Sequence, residues 1–311
     1  MKKLIVLFCL FIFSIEKGRT QSRDELLITA KKFDNDVMEQ FKKTTTVFFY
    51  GNELESTIDS LKKAITSVWD ITPIIFEKLA KFDSYASKSE YSYFVIEGMT
   101  RYVQGRSISY THTHYYLALR LFKEVSKTGK IITTGLYRIE LSPNPGTLNV
   151  GRSGSSEDVI NDLYKNGFFY NWGPVQLKAQ LAACATSLKN NKRPSLFENI
   201  KDDNLTATLA RDTLYVPKKM LVHYGPFKGK ETNNENNNPF TAYQHSYRIC
   251  TDEELYKIFE TEKRGRLLFE YVKSSTDKYV SIFDILNKTT IYRRYTAVTY
   301  NLKEKDLEKI K

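Results

Sequence analysis

Cysteine, histidine and tryptophan are scarce in this chain, at 3, 4 and 2 of 311 residues. Cys9, Cys184 and Cys250 form no Cys-x-x-Cys, which excludes a two-cysteine redox or zinc motif. The histidines are His112, His114, His223 and His245, and no His-Glu-x-x-His occurs. Walker A, Gly-x-Gly-x-x-Gly, Gly-x-Ser-x-Gly and calcium-loop patterns are all missing. No block of five like charges marks a footprint for nucleic acid, so no nucleic-acid partner is expected. No segment after residue 22 reaches the ~20 apolar residues of a membrane-spanning helix. These absences exclude the motif-defined enzyme classes, but not a site assembled from distant residues. No cofactor is expected.

The chain has a marked N-terminus. Lys2 and Lys3 precede Leu4-Ile-Val-Leu-Phe-Cys-Leu-Phe-Ile-Phe-Ser-Ile15. A basic start and a short apolar run form the pattern of a secretory signal peptide. Cleavage is placed near Gln21, so residues 1–21 read as the signal. An uncleaved anchor is the competing reading. Cys9 follows Phe8, where a lipobox needs a small residue, so no lipoprotein is read. The protein is therefore expected to be exported, to the periplasm, the cell surface or the medium.

Forty-seven Lys and Arg oppose 36 Asp and Glu, a net charge of +11. Residues 1–20 carry Lys2, Lys3, Lys17 and Arg19 against Glu16, so the mature chain is about +8. A basic exported protein suits an anionic glycan or another envelope component as partner. Dispersed surface lysines are the plainer account. In an oxidising compartment Cys184 and Cys250 can pair. Buried free thiols are the alternative.

Apolar periodicity and breakers predict an α/β to α+β protein. Residues 23–43 read as a helix and Thr44 to Tyr50 as a buried strand. A helix through Trp69, a strand at 71–76, a helical piece at 77–86 and a strand from Tyr91 to Glu97 follow. This alternation predicts crossover helices on a parallel sheet. His112 to Phe122 and Gly135 to Leu141 have no helix between them and are expected to pair antiparallel, giving a mixed sheet over 22–142. Residues 143–213 read as a helical connecting segment, with helices at 156–166 and 174–190. Residues 214–311 read as a smaller α+β unit. It contains a capping box at Thr251-Asp-Glu-Glu254, strands at 266–273 and 279–285, and an asparagine-rich loop at 229–239. Its strand–helix–strand start is like that of the first unit, but no residues match, so no internal repeat is read.

Four features carry candidate chemistry. His112 and His114 lie two apart in a strand, on one face, and form the metal candidate; a zinc site needs a third ligand from elsewhere. The plainer reading leaves both on a solvent-facing strand start. Gly151, Arg152 and Gly154 form a turn ahead of a helix, where free N–H groups and a positive charge suit an anion. Ser153 in that turn, with a distant histidine, is the candidate nucleophile of a hydrolase. Phe168-Phe-Tyr-Asn-Trp172 is an aromatic patch, read either as a sugar-stacking platform or as packing.

Thr46-Val-Phe-Phe-Tyr50 with Val68-Trp-Asp-Ile-Thr-Pro73, and Leu267-Leu-Phe-Glu-Tyr-Val272 with Ser274-Ser-Thr-Asp-Lys-Tyr279, resemble uncharacterised exported proteins of the Bacteroidota. The resemblance spans most of the mature chain and implies export and no particular activity. The leading expectation is thus a non-catalytic envelope or secreted protein that binds a partner or ligand. The alternative is an exported, hydrolase-like enzyme built around His112, His114 and Ser153.

Overall fold

A computed structural model describes residues 27–51, 56–104, 109–150, 156–225, 230–233, 238–274, 277–299 and 301–310, with backbone only at 101–104, 109–112, 149–150, 156–158, 230 and 233. The proposed signal peptide lies outside these residues. The fold is α+β with two mixed sheets, and neither closes into a barrel. Among the described residues no helix is long and apolar enough to cross a membrane.

The chain opens with β1 (Lys31–Lys32), α1 (Asn35–Lys42), β2 (Thr45–Tyr50), α2 (Ile58–Thr66) and β3 (Ile74–Lys78). Then come α3 (Asp83–Ala86), β4 (Tyr91–Gln104), β5 (Ser109–Val125) and β6 (Ile131–Leu141). Three helices follow: α4 (Pro145–Val150), α5 (Ser156–Asn166) and α6 (Pro174–Lys189). Next are β7 (Lys192–Arg193), β8 (Ile200–Lys201), α7 (Leu205–Arg211), β9 (Leu214–Pro217), β10 (Val222–Gly225) and β11 (Lys230–Asn233). The last stretch holds β12 (Tyr247–Cys250), α8 (Asp252–Tyr256), β13 (Leu267–Ser274), β14 (Asp277–Asp284), β15 (Thr289–Thr296) and α9 (Glu304–Leu307).

The first sheet has the order β3-β2-β4-β5-β6. β2, β3 and β4 are parallel, and β4, β5 and β6 form an antiparallel meander. The second sheet has the order β12-β9-β13-β14-β15-β8. Here β9, β12 and β13 are parallel, and β13, β14 and β15 again form a meander. With the edge strand β8 set aside, the strands of each sheet, numbered in chain order, run second–first–third–fourth–fifth. The two units therefore share a topology that their residues do not advertise. In the first unit α2 makes the first crossover. In the second, the β10–β11 hairpin stands in that connection.

Two expectations are corrected. Of the helix read over 23–43, residues 23–26 lie outside the described residues, and from 27 onward the helix is confined to Asn35–Lys42. Ahead of it, the Asn191 side chain accepts from Phe33 N at 3.1 Å and donates to Phe33 O at 2.8 Å, holding the chain extended. Leu27 and Ile28 pack instead with Tyr116, Leu196 and Val272. Part of the asparagine-rich loop is also ordered, as β11 pairs with β10.

The two units share one helix. Pro174 sits in the first turn of α6, where its missing N–H costs nothing. Eleven of its 16 residues are buried, as suits a helix covered on two sides. Leu177, Leu181 and Cys184 join the first core, with Phe48, Trp69 and Trp172. Val175, Ala179 and Ala183 join another core with Leu255, Phe259 and Leu268. The alanines let the second sheet approach closely.

Candidate functional site

Side chains alternate across a strand, and here the alternation puts polar groups between the two sheets. On β5, Tyr115, Leu117, Leu119 and Leu121 face the first core. His114, Tyr116, Ala118 and Arg120 face the other way. On β13, Phe269 and Tyr271 enter the core of the second unit, while Glu270 and Ser274 face β6. The result is a buried polar seam at the junction of the sheets.

His114 Nδ1 lies 2.7 Å from Ser274 Oγ, and Ser274 Oγ donates to Glu140 Oε2 at 3.3 Å. Arg138 donates to the other oxygen of Glu140 and lies over the Tyr116 ring at 3.7 Å. Burial opposes the charge on Glu140, but Arg138 and His114 outweigh it and hold the carboxyl at about 2. Deeper in the sheet, Arg120 makes a two-pronged bond to Glu97 at 2.8 and 2.5 Å. Each of these four buried charges thus has a close partner, without which the interior would not hold it.

Asn171 ties the seam to the second sheet and is 0 % exposed. It accepts from Ser142 N at 2.9 Å and donates to Glu140 O at 2.9 Å and to Glu270 Oε1 at 3.2 Å. Gln180 of α6 also donates to Glu270. Burial drives the Glu270 carboxyl up to about 7, against the pull of these amides and of Arg293.

The opposite face of β13 borders an open groove. Lys273 pairs with Glu231 of β11, and its ammonium lies 4.6 Å from the Tyr224 ring centroid. Burial pulls the Lys273 ammonium down, and Glu231 partly restores it. Tyr170 donates to Glu231. The groove has a volume of about 500 Å³ and is lined by Tyr170, Lys218, Lys219, Glu231, Thr251 and Asp252, among others. Consecutive residues Tyr170 and Asn171 therefore serve the two faces of one sheet.

The seam has the residue types of a hydrolytic triad without its wiring. In such a triad the serine meets one ring nitrogen and the acid the other. Here Ser274 and Glu140 both approach His114 Nδ1, at 2.7 and 3.5 Å. Ser274 donates to an acid held at about 2, which is a poor base at neutral pH. All three side chains are buried.

The sequence candidates fare unevenly. His114 is buried rather than solvent-facing, because the second sheet covers that face of β5. His112 pairs in backbone register with Arg101, and its side chain lies outside the described residues. Gly151, Arg152, Ser153 and Gly154 also lie outside them. His223 is exposed on β10, and His245 packs edge-on against Tyr243. Among the described residues no three His, Cys, Asp or Glu side chains are grouped to hold a metal. Cys184 and Cys250 do not pair: both are buried free thiols, packed in different cores. Trp172 stacks on Phe48 inside the first core, whereas Phe168 is 48 % exposed and packs edge-on against Tyr170 at 5.2 Å.

Glu270, Glu140, Arg138, Asn171 and Gln180 were not singled out in the sequence. The available signal was the i, i+2 spacing of Arg138 and Glu140 and the i, i+4 spacing of Glu270 and Ser274, which place each pair on one face of its strand. No family model, curated protein or solved structure matches the chain.

Proposed function

We propose that the protein is an exported, non-catalytic binding protein of the envelope or the surrounding medium, and that it holds a saccharide in the groove beside β11. The observation that carries this reading is the groove itself. Its volume of about 500 Å³ is that of a small-molecule site. Its chemistry suits sugar hydroxyls: carboxylates at Asp252 and Glu253, hydroxyls at Thr232 and Thr251, and the Tyr170 ring with exposed Phe168 against it. Aromatic rings offer an apolar face for a sugar ring, with a polar edge beside it. Lys218 and Lys219 add donors to this edge, Lys219 as an ion pair with Asp252 at 2.8 Å.

The test is calorimetric titration with a polyuronate hexasaccharide and with a neutral hexasaccharide of the same linkage. Saturable binding of either sugar, weakened at least tenfold in Phe168→Ala and in Lys219→Ala, is the expected result. Absence of binding to both sugars, or binding that neither substitution changes, would overturn the reading.

A further inference from the structure

Between β6, α6 and the β13–β15 meander lies a second cavity, of about 50 Å³. Its polar lining includes Arg138, Glu140, Gln180, Glu270, Tyr279 and Arg293. Thr290 and Arg293 are half-buried while the rest of the lining is buried, so the mouth lies between these two. The space holds about two waters, or one planar anion of three or four heavy atoms.

Two polar groups aimed into it lack a partner. Among the described residues Gln180 Oε1 and Tyr279 OH find no hydrogen-bond partner, although the residues are only 3 % and 1 % exposed. Buried polar atoms are normally satisfied, so an occupant is called for. Arg293 makes no ion pair among the described residues and lies over the Tyr279 ring at 5.1 Å.

Charge selects the occupant. Arg138 is cancelled by Glu140. Arg293 is then offset only by Glu270, and only when Glu270 is ionised. With Glu270 protonated the lining carries one net positive charge. The Glu270 O–H then donates to Gln180, whose amide turns and presents its N–H to the cavity. Oxygen and nitrogen of an amide exchange places at no cost when the partner becomes a donor. Arg293, Tyr279 and Gln180 then all donate inward, and a planar oxyanion fits the guanidinium fork.

We propose that this cavity is a binding site for a small planar monoanion of the carboxylate class, taken up together with one proton on Glu270. The charged and titratable groups facing Glu270 are Arg138, Glu140 and Tyr137 on β6, Tyr279 on β14 and Arg293 on β15. Asn171 and Gln180 do not titrate. Burial places the Glu270 carboxyl at about 7, so the coupling falls at neutral pH.

The test is titration of the full chain with sodium formate and with sodium acetate at pH 6 and pH 8, in buffers of different ionisation heat. Affinity about tenfold higher at pH 6 than at pH 8, with uptake of close to one proton at pH 8 and little at pH 6, is expected for a group titrating near 7. Glu270→Gln should bind at both pH values without proton uptake. Arg293→Gln should lose binding while keeping its near-ultraviolet circular dichroism, and Arg293→Lys should weaken it. No saturable binding of either anion at pH 6 by the folded chain means that water fills the cavity, and the proposal fails. Binding indifferent to Arg293, or without proton linkage, also overturns it. Neither probe nor variant involves the groove, so this test and the saccharide test succeed or fail separately.

Discussion

Ser274 Oγ meets His114 Nδ1 at 2.7 Å across a separation of 160 residues, joining β13 of the second sheet to β5 of the first. The contact is structural in its wiring, since the serine donates onward to Glu140. Ser274→Ala should therefore lower stability by about 1–2 kcal/mol, the cost of leaving a buried partner unsatisfied. Urea unfolding measures it. A fluorophosphonate serine probe should leave Ser274 unlabelled in the folded chain; stoichiometric labelling would revive the hydrolase alternative.

Arg138 and Glu140 form the charged heart of the seam. Arg138→Met leaves a buried carboxylate without its cation and should cost about 3–5 kcal/mol. Arg138→Met with Glu140→Gln should recover much of that loss, because the stranded charge is gone. The carboxyl of Glu140 sits at about 2 when folded, against an ordinary value of 4.5. Its contribution is therefore full above 4.5 and is lost as pH falls toward 2. Acid titration of the wild type and of Glu140→Gln should diverge in that window; superimposable curves would contradict the assignment.

Glu270 runs the other way. Its folded value of about 7 exceeds the ordinary 4.5, so the folded state holds the proton more tightly than the unfolded one. Stability from this group falls as pH rises from 4.5 to 7, and the penalty is complete above 7. Glu270→Gln should stabilise the protein at pH 8 by about 3 kcal/mol, following the shift at 1.36 kcal/mol per unit. At pH 4.5 it should change little. Chemical denaturation at the two pH values decides it.

The two thiols should be inert. Cys184 and Cys250 are buried and unpaired, and burial raises both thiols above their ordinary value. Since the thiolate is the reactive form, a disulfide-exchange reagent should react with neither in the native protein and with both after denaturation. One engineered exchange, Cys250→Ala, should leave the rate at Cys184 unchanged, because the two lie in different cores.

Local pattern carried much of the architecture. Thr251 and Glu254 form the capping box that their spacing announces. Pro174 opens α6, and the β-branched and aromatic runs at 45–50 and 267–274 are buried strands. Other features were hidden for a physical reason. Residues 23–43 have helical spacing, yet Asn191 captures the backbone at Phe33 from far along the chain. Strand pairing order depends on contacts over long separations, so the shared topology of the two sheets left no trace in matching residues.

The candidate site shows the same division. His114 was visible as a histidine in a strand, but not as a buried one. Burial of its face depends on a second sheet that begins about a hundred residues later. Asn171 was hidden inside an aromatic patch. Its neighbours Phe169 and Trp172 serve the core, while Asn171 itself fastens Ser142, Glu140 and Glu270 together.

The sequence alone determined the mixed α and β class, the main strands and helices and the caps, because these follow from periodicity and near-neighbour chemistry. It determined which residues can carry charge. Only the tertiary structure decided which of them are buried, which are paired and which face a cavity. A carboxylate such as Glu270 becomes a group poised near neutrality only when α6 and the two sheets close around it and remove its water.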